Sequence, residues 1–495
     1  MICPAVPGRT RGQLGLLEKD HVAPALMCQM IGKAASHDPA ADNDHPCGGG
    51  KFACRHLCIF LVVGWLRINN THAPSCSTRM ACVKRAERIV CDRIFLVSDE
   101  LFRASCVMSC PCAKGDVKTT PDGHAMATDN NPLLSLDARY YTDPAIFEIE
   151  SRGLFASSWQ FAGHASQLRR PGDYFTFDMA GESLFCVMDR EGAINAFYNV
   201  CQHRAHQLVQ GSGRANVLTC PYHAWSYDLG GQLRAGPNIK SVEGFRREDI
   251  CLTKVPIENF CGFLFVNLDP DARPMDEWFP GVRSELAAHV PQIDQLRPLE
   301  WVEIPEACNW KVSVENYSEC YHCTLNHETF ATGIVRPETY DIQPQGHCLR
   351  HTTDCQNLDA MSYPIDLSAN DYAGVYSSWF LWPMFSFQVY PGNLLNTYHW
   401  RAVDAGHVVV WRGWYSIDGA ESETVRQLAV QDRETTVEED IHLVESVQRG
   451  LKSRGYRPGP LVMDPACGVN SEHSIAVLQS WMRDAGDRIG PPVTG

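Results

Sequence analysis

Hydrophobic and polar residues change their rhythm twice along this chain. Up to about residue 125 no sustained alternation or helical repeat appears, and Pro, Gly and polar residues cut the apolar stretches short. Thr142-Asp143-Pro144 then predicts a helix start, with an N-cap residue ahead of a first-turn proline. That helix is expected to run to about Arg152, where Gly153 supplies a C-terminal signal. Short runs rich in β-branched and aromatic residues follow: Tyr174 to Phe177, Leu184 to Val187, Ala196 to Val200 and Cys261 to Val266. Turn residues such as Pro171-Gly172 and Gly192 separate them, which reads as a small antiparallel β domain. From about 272 longer helical patterns mix with strands. Trp379 to Trp414 reads as several strands, with turns at Pro391-Gly392 and Asp404 to Gly406. Residues 422–454 read as a long helix or a pair, and Ser471-Glu472-His473-Ser474 starts a last one. The expected class is α+β. Its parts are a 1–125 leader, a helical segment 126–160 packing on the last domain, a β domain 161–271 and an α+β domain 272–495.

Composition sharpens the first boundary. Residues 1–125 carry 15 Lys+Arg against 11 Asp+Glu, whereas the remainder carries 28 against 47. Eleven of the 22 Cys lie before residue 113, at spacings that fit neither zinc pairs nor a plant-type ferredoxin. The expectation is that the native product begins at Met126 and that the leader is not native or is disordered. The net charge of −15 argues against non-specific nucleic-acid binding. The longest apolar run, Leu57 to Leu66, is too short to span a membrane. No secretory pattern opens the chain and the leader is too acidic for a transit peptide, so a cytoplasmic location is expected.

Candidate chemistry concentrates at two places. The first is CQHRAHQLVQGSGRANVLTCPYHAW, in which Cys201, His203, Cys220 and His223 form matched C-x-H and C-x-x-H halves. Two thiolates and two imidazoles suit a [2Fe–2S] cluster with mixed ligation, and also a tetrahedral zinc. Arg204, Pro221-Tyr222 and Trp225 flank the halves as in the Rieske pattern, which favours the cluster. His206 is expected beside the cluster or at an interface, since the cluster already has two imidazoles.

The second place is NWKVSVENYSECYHCTLNH, residues 309–327. Read as one helix, it puts Glu315, Glu319 and His322 on one face, and Trp310, Val314, Tyr317, Tyr321 and Leu325 on the other. His327 falls off that face and is expected where the helix ends or distorts. Acids and an imidazole on a buried face need partners, and a metal is one. In TVEEDIHLVESVQRGL, Val437, Ile441, Val444, Gln448 and Leu451 form an apolar stripe containing Asp440, while Glu438, Glu439 and Glu445 fall outside it. Helical phase alone leaves two readings of Asp440 open: a third metal ligand, or a buried ion pair with Arg449 or Arg454. Cys320 and Cys323 read as packing residues, because a redox or zinc role would need a second motif.

Together these strings resemble the oxygenase (alpha) subunits of Rieske non-haem iron oxygenases, over essentially all of 130–490. The resemblance implies a Rieske [2Fe–2S] cluster on Cys201, His203, Cys220 and His223. It also implies mononuclear Fe(II) on His322, His327 and Asp440. It gives Glu319 the role of bridging the cluster of one subunit to the iron of the next, in a ring-shaped homotrimer. RYYTD, ENY-x-ECYHC and LVESVQRGLKSRGY look most like the branch acting on quaternary ammonium compounds, and Glu at 319 favours that branch. The implied reaction is NAD(P)H- and O2-dependent oxidation of such a compound, carnitine first, with release of trimethylamine. Hydroxylation of an aromatic ring, N-demethylation of another betaine, and a plain Rieske electron carrier are the alternatives. Ala205 departs from the family, which usually has Gly there. With no G-x-G-x-x-G and no ferredoxin string, a separate NAD(P)H-dependent flavin and iron–sulfur reductase is the expected partner. Trp379, Trp382, Phe385 and Tyr390 are candidate substrate contacts, since aromatic faces attract quaternary ammonium. Aromatics in strands also commonly pack cores, and that reading stays open beside it.

Overall fold

The computed structural model describes residues 132–464 and 468–489. The expected leader lies outside the described residues. No helix among the described residues is long and apolar enough to cross a membrane.

The first long helix begins as its residues dictate. Asp143 caps it, its side chain accepting from the Ala145 N–H at 2.9 Å, and Pro144 fills the first position of α1 (Pro144–Ile149). It does not stop at Arg152. The chain continues as a π turn, Glu150–Phe155, that contains Gly153. This wider turn carries Glu150, Leu154 and Phe155 inward. The Glu150 carboxylate there accepts from Lys311 Nζ at 2.7 and 2.8 Å and from Trp310 Nε1 at 2.9 Å. A wholly buried lysine needs such a partner, and the contact ties this segment to the helix that begins at Trp310.

The small β domain is antiparallel. Its larger sheet orders Ser212–Arg214, Asp173–Met179, Glu182–Met188, Ile194–Tyr198 and Lys254–Val255. A three-stranded sheet of Leu218–Thr219, Ser226–Tyr227 and Leu233–Ala235 lies beyond it. A third sheet of Gln160–His164, Phe263–Val266 and Ile257–Phe260 places its phenylalanines against the α+β domain.

That domain is built on a seven-stranded antiparallel sheet. Its strands are β1 (Leu296–Glu306), β2 (Asp341–Gln345), β3 (Cys348–Asp354), β4 (Val375–Leu381), β5 (Phe385–Tyr390), β6 (Leu394–Asp404) and β7 (His407–Ile417), in spatial order β1-β7-β6-β5-β4-β3-β2. Side chains alternate between its faces. Trp379, Leu381, Phe385, Phe387 and Tyr415 pack with Phe263, Phe265 and helix α2 (Val282–His289). Phe380, Tyr398, Trp400 and Val410 face the other way, onto α3 (Trp310–Tyr317) and the C-terminal helices.

The segment 309–327 is not one helix. Asn309 caps α3 by accepting from the Lys311 N–H, but α3 ends at Tyr317. The chain then turns into α4 (Cys323–Asn326) and α5 (Glu328–Gly333). The Glu319 carboxylate causes the turn by taking the backbone N–H groups of Tyr321 and His322, which a continuing helix would spend on carbonyls. Cys320 and Cys323 are joined by a disulfide across the same turn, a bond the packing reading did not include. Tyr321 and Leu325, expected on the packed face, are 44% and 89% exposed. Residues 422–454 form α6 (Glu423–Asp432) and α7 (Glu438–Leu451), joined through a π turn at Arg433–Val437. The last helix, α8, is His473–Ile489.

Candidate iron centres

Two copies of one turn form the tip of the small β domain. Ala205 N–H donates to Cys201 O at 3.0 Å, and Ala224 N–H donates to Cys220 O at 2.9 Å. Cys201 N–H reaches His206 O at 2.9 Å, and Cys220 N–H reaches Trp225 O at 2.8 Å. Both alanines take left-handed backbone, φ 57° and 56°, where glycine is the unstrained choice. The turns bury the two thiols to 2% exposure and bring the rings of His203 and His223 to 4.6 Å between centroids. Trp225 stacks on His203 at 4.6 Å.

Two buried thiols side by side are poorly served by protons alone. Burial raises the Cys201 thiol above its ordinary pKa and Cys220 pushes it the same way, while the Tyr227 hydroxyl and the His203 N–H pull it down. Tyr227 OH is 3.3 Å from Cys201 Sγ. His223 Nδ1 is buried with no hydrogen-bond partner. Two thiolates, two imidazoles and an orphaned ring nitrogen fit an iron–sulfur cluster with mixed ligands.

The second centre draws on three elements. His322 precedes α4, His327 stands between α4 and α5 where the helix was expected to end or distort, and Asp440 lies in the first turn of α7. His322 Nε2 and His327 Nε2 are 3.0 Å apart. Asp440 Oδ1 is 3.1 Å from His327 Nε2 and 3.6 Å from His322 Nε2. Each imidazole is held from behind by a carboxylate: Glu319 Oε1 lies 2.5 Å from His322 Nδ1, and Glu439 Oε2 lies 2.8 Å from His327 Nδ1. With Nδ1 donating to those acids, both Nε2 lone pairs point at the Asp440 carboxylate, which converges three acceptors on one spot. Burial opposes charge here, yet the nearby Asp440 and Glu319 carboxylates carry His322 up to about 10, so the pocket calls for a positive charge, as a proton or as a cation. Burial likewise opposes the Asp440 carboxylate, and the two imidazoles still hold it at about 2. A divalent cation answers the same demand, and two His with one carboxylate is the facial set of non-haem iron. No ion pair joins Asp440 to Arg449 or Arg454: Arg449 pairs with Glu445 instead.

Glu315, expected beside Glu319 and His322, turns away. It accepts from Tyr141 OH at 2.7 Å and Gln479 Nε2 at 3.1 Å. Glu439 was not foreseen. Its signal was present as an acid adjacent to Asp440, but it lay off the apolar stripe and its role requires knowing where His327 sits.

The cavity beside this centre is walled by aromatic rings, among them Tyr340, Phe330, Tyr376, Tyr390 and Tyr398. Of the four sequence candidates only Tyr390 is there. Trp379 and Phe385 sit on the opposite face of the sheet, a consequence of strand alternation. Trp379 donates its indole N–H to Glu285 at 2.8 Å, and Phe385 packs on Phe161 at 4.9 Å. Trp382 lies past the end of β4, against Trp310 and Trp481.

Both centres and the fold that holds them define one class, and the chain belongs to it: the Rieske non-haem iron oxygenases, of which it is an alpha subunit. Residues 158–246 match the Rieske [2Fe-2S] domain, and residues 293–487 match the catalytic domain of the ring hydroxylating alpha subunit. The enzyme uses a Rieske [2Fe–2S] cluster and mononuclear iron, which settles the zinc alternative. Within the family the chain is 35% identical over 343 residues to the carnitine monooxygenase oxygenase subunit of Acinetobacter baumannii, covering 69% of this chain and 91% of that one. It is 28% identical over 343 residues to the chloroplastic choline monooxygenase of Spinacia oleracea, covering 68% and 75%. Its fold matches a quaternary ammonium Rieske monooxygenase studied for carnitine oxidation by gut microbiota and inter-subunit electron transfer. The TM-score is 0.64 and the identity 31%, over 72% of this chain and 96% of that one.

Proposed function

We propose that this chain is the oxygenase component of a two-component monooxygenase that oxidises carnitine, releasing trimethylamine. The observation that carries the reading is the aromatic cavity at His322, His327 and Asp440. Rings at near right angles, Tyr376 and Tyr390 at 5.3 Å and 78°, present the π faces that attract a trimethylammonium group. The likeness to carnitine oxygenase subunits supports the same substrate, and the likeness to choline monooxygenase marks choline as the first competitor to test.

In this reading Cys201, His203, Cys220 and His223 hold the cluster, and His322, His327 and Asp440 hold the iron. When bound, the two groups supply stored electrons and oxygen activation respectively. The chain's own residues do the rest. Glu319 and Glu439 fix the ring orientation and tautomer of the two imidazoles. The tyrosine wall keeps water off and holds the substrate cation. The described part of 126–160 braces α3 through Glu150, while 161–271 carry the cluster and 272–495 the iron. The working form is a cytoplasmic homotrimer in which the cluster tip of one subunit faces Glu319 of the next. Tyr222 near the cluster, at 51% exposure, and Tyr321 and Leu325 near the iron are apolar surfaces available for that contact. Electrons enter from a separate NAD(P)H-dependent flavin and iron–sulfur reductase.

Reconstitution with such a reductase tests the proposal. Oxygen uptake and trimethylamine should both depend on carnitine. Turnover of choline or an aromatic acid with none of carnitine would overturn the substrate.

A further inference from the structure

The pocket face of the sheet hides a buried ion pair that the chemistry above does not use. Arg412 of β7 is 1% exposed and Asp432 at the end of α6 is 3% exposed. Neither is needed to bind iron, and a buried pair is weak evidence of a stabilising role. Their contacts run into the cavity wall. Asp432 accepts from Arg412 on Oδ2 and from the Tyr390 hydroxyl on Oδ1, the latter at 3.0 Å. Arg412 lies with Cζ 3.6 Å from the ring centroid of Tyr398, occupying a face of that ring with an internal cation. Arg412 also donates to Gln388 Oε1 at 3.4 Å, and Gln388 Nε2 holds the Tyr376 hydroxyl at 2.5 Å. Tyr376, Gln388, Tyr390 and Tyr398 all line the cavity.

A fixed guanidinium one side chain behind a cavity would repel a cationic ligand. Asp432 cancels that charge. The same carboxylate accepts the Tyr390 hydroxyl, which fixes the ring and enriches its π face toward a cation. One group therefore both removes the repulsion and aims the attraction.

We propose that Asp432 is a positioning residue that sets specificity for a cationic substrate, by neutralising Arg412 and holding Tyr390 so that the wall accepts a quaternary ammonium group over its uncharged isostere. This rests on the quaternary-ammonium reading of the site.

The test compares two ligands of one shape: carnitine, and its carbon isostere in which a tert-butyl group replaces the trimethylammonium. Asp432→Asn should raise KM for carnitine about ten-fold while the inhibition constant of the isostere moves less than about two-fold. The change in kcat should be smaller than the change in KM, and iron content should hold. Tyr390→Phe leaves the ion pair in place and should shift the charged-to-neutral ratio by about three-fold. The double variant Asp432→Asn with Arg412→Gln removes both charges and should bring the ratio back toward wild type. Equal weakening of both ligands in Asp432→Asn, or an unchanged ratio, overturns the proposal. Should Asp432→Asn fail to fold, an unchanged ratio in Tyr390→Phe does so. A wild-type enzyme that binds the isostere as well as carnitine overturns the substrate reading itself, before Asp432 is at issue.

Discussion

Glu439 Oε2 sits 2.8 Å from His327 Nδ1, so the second imidazole proposed to face the iron is buttressed by the residue next to Asp440, the carboxylate proposed to share that iron. Adjacent residues on the first turn of α7 therefore reach His327 from opposite sides, Asp440 at Nε2 and Glu439 at Nδ1. Glu439→Gln should keep the fold and the cluster but loosen the iron, by about 10- to 100-fold in affinity. Chelator competition at fixed pH, read by iron content, measures it. Unchanged iron retention would mean that the half-exposed Glu439 carboxylate contributes nothing.

Tyr227 approaches Cys201 Sγ and also accepts from the Gln202 N–H at 3.1 Å, so its hydroxyl proton is free to point at sulfur. A hydrogen bond to a cluster sulfur favours the reduced, more negative state. Tyr227→Phe should lower the midpoint potential of the cluster, with its absorbance retained. A potential that stays put or rises contradicts this.

Ala205 and Ala224 hold equivalent left-handed positions in the two cluster turns. A Cβ there costs about 1 kcal/mol, which glycine does not incur. Ala205→Gly and Ala224→Gly should each raise stability by up to about 1 kcal/mol, offset in part by the freer unfolded chain. Denaturant midpoints of the loaded protein report it. Destabilisation by both would show that the alanine methyls are packing contacts.

Burial pushes the Glu315 carboxyl up to about 7 although Tyr141 and Gln479 hydrogen-bond to it. A folded pKa above the unfolded one means a stability contribution that is complete below about pH 4.3 and is lost as pH rises through about 7. Glu315→Gln should therefore flatten the fall in melting temperature between about pH 5 and 8, with the variant gaining on wild type at the alkaline end. Parallel curves would contradict the assignment. Glu306, also raised to about 7 by burial, adds a background slope common to both proteins.

What the sequence revealed followed the locality of the signal. The proposed cluster ligands Cys201, His203, Cys220 and His223 sit in two short strings, and the turns that hold them form from neighbours in the chain. Asp440 was visible as a lone acid on an apolar stripe that does pack, at Val444 and Leu451. The helix through 309–327 was misread because Glu319 spends its carboxylate on the backbone of its own turn, a use that periodicity does not register. The aromatic wall of the cavity was legible only at Tyr390, because aromatic content carries no face. Only strand register separates Tyr376 and Tyr390 from Trp379 and Phe385.

The central claim is that one chain carries both a cluster and a separate iron on His322, His327 and Asp440. Iron analysis of wild type and Asp440→Ala, each with its cluster absorbance recorded, tests it most directly. Wild type should hold the two irons of the cluster and one more, and the variant should lose only that last iron with the cluster spectrum intact. An Asp440→Ala protein that keeps all its iron, or a wild type with iron for the cluster alone, would contradict it.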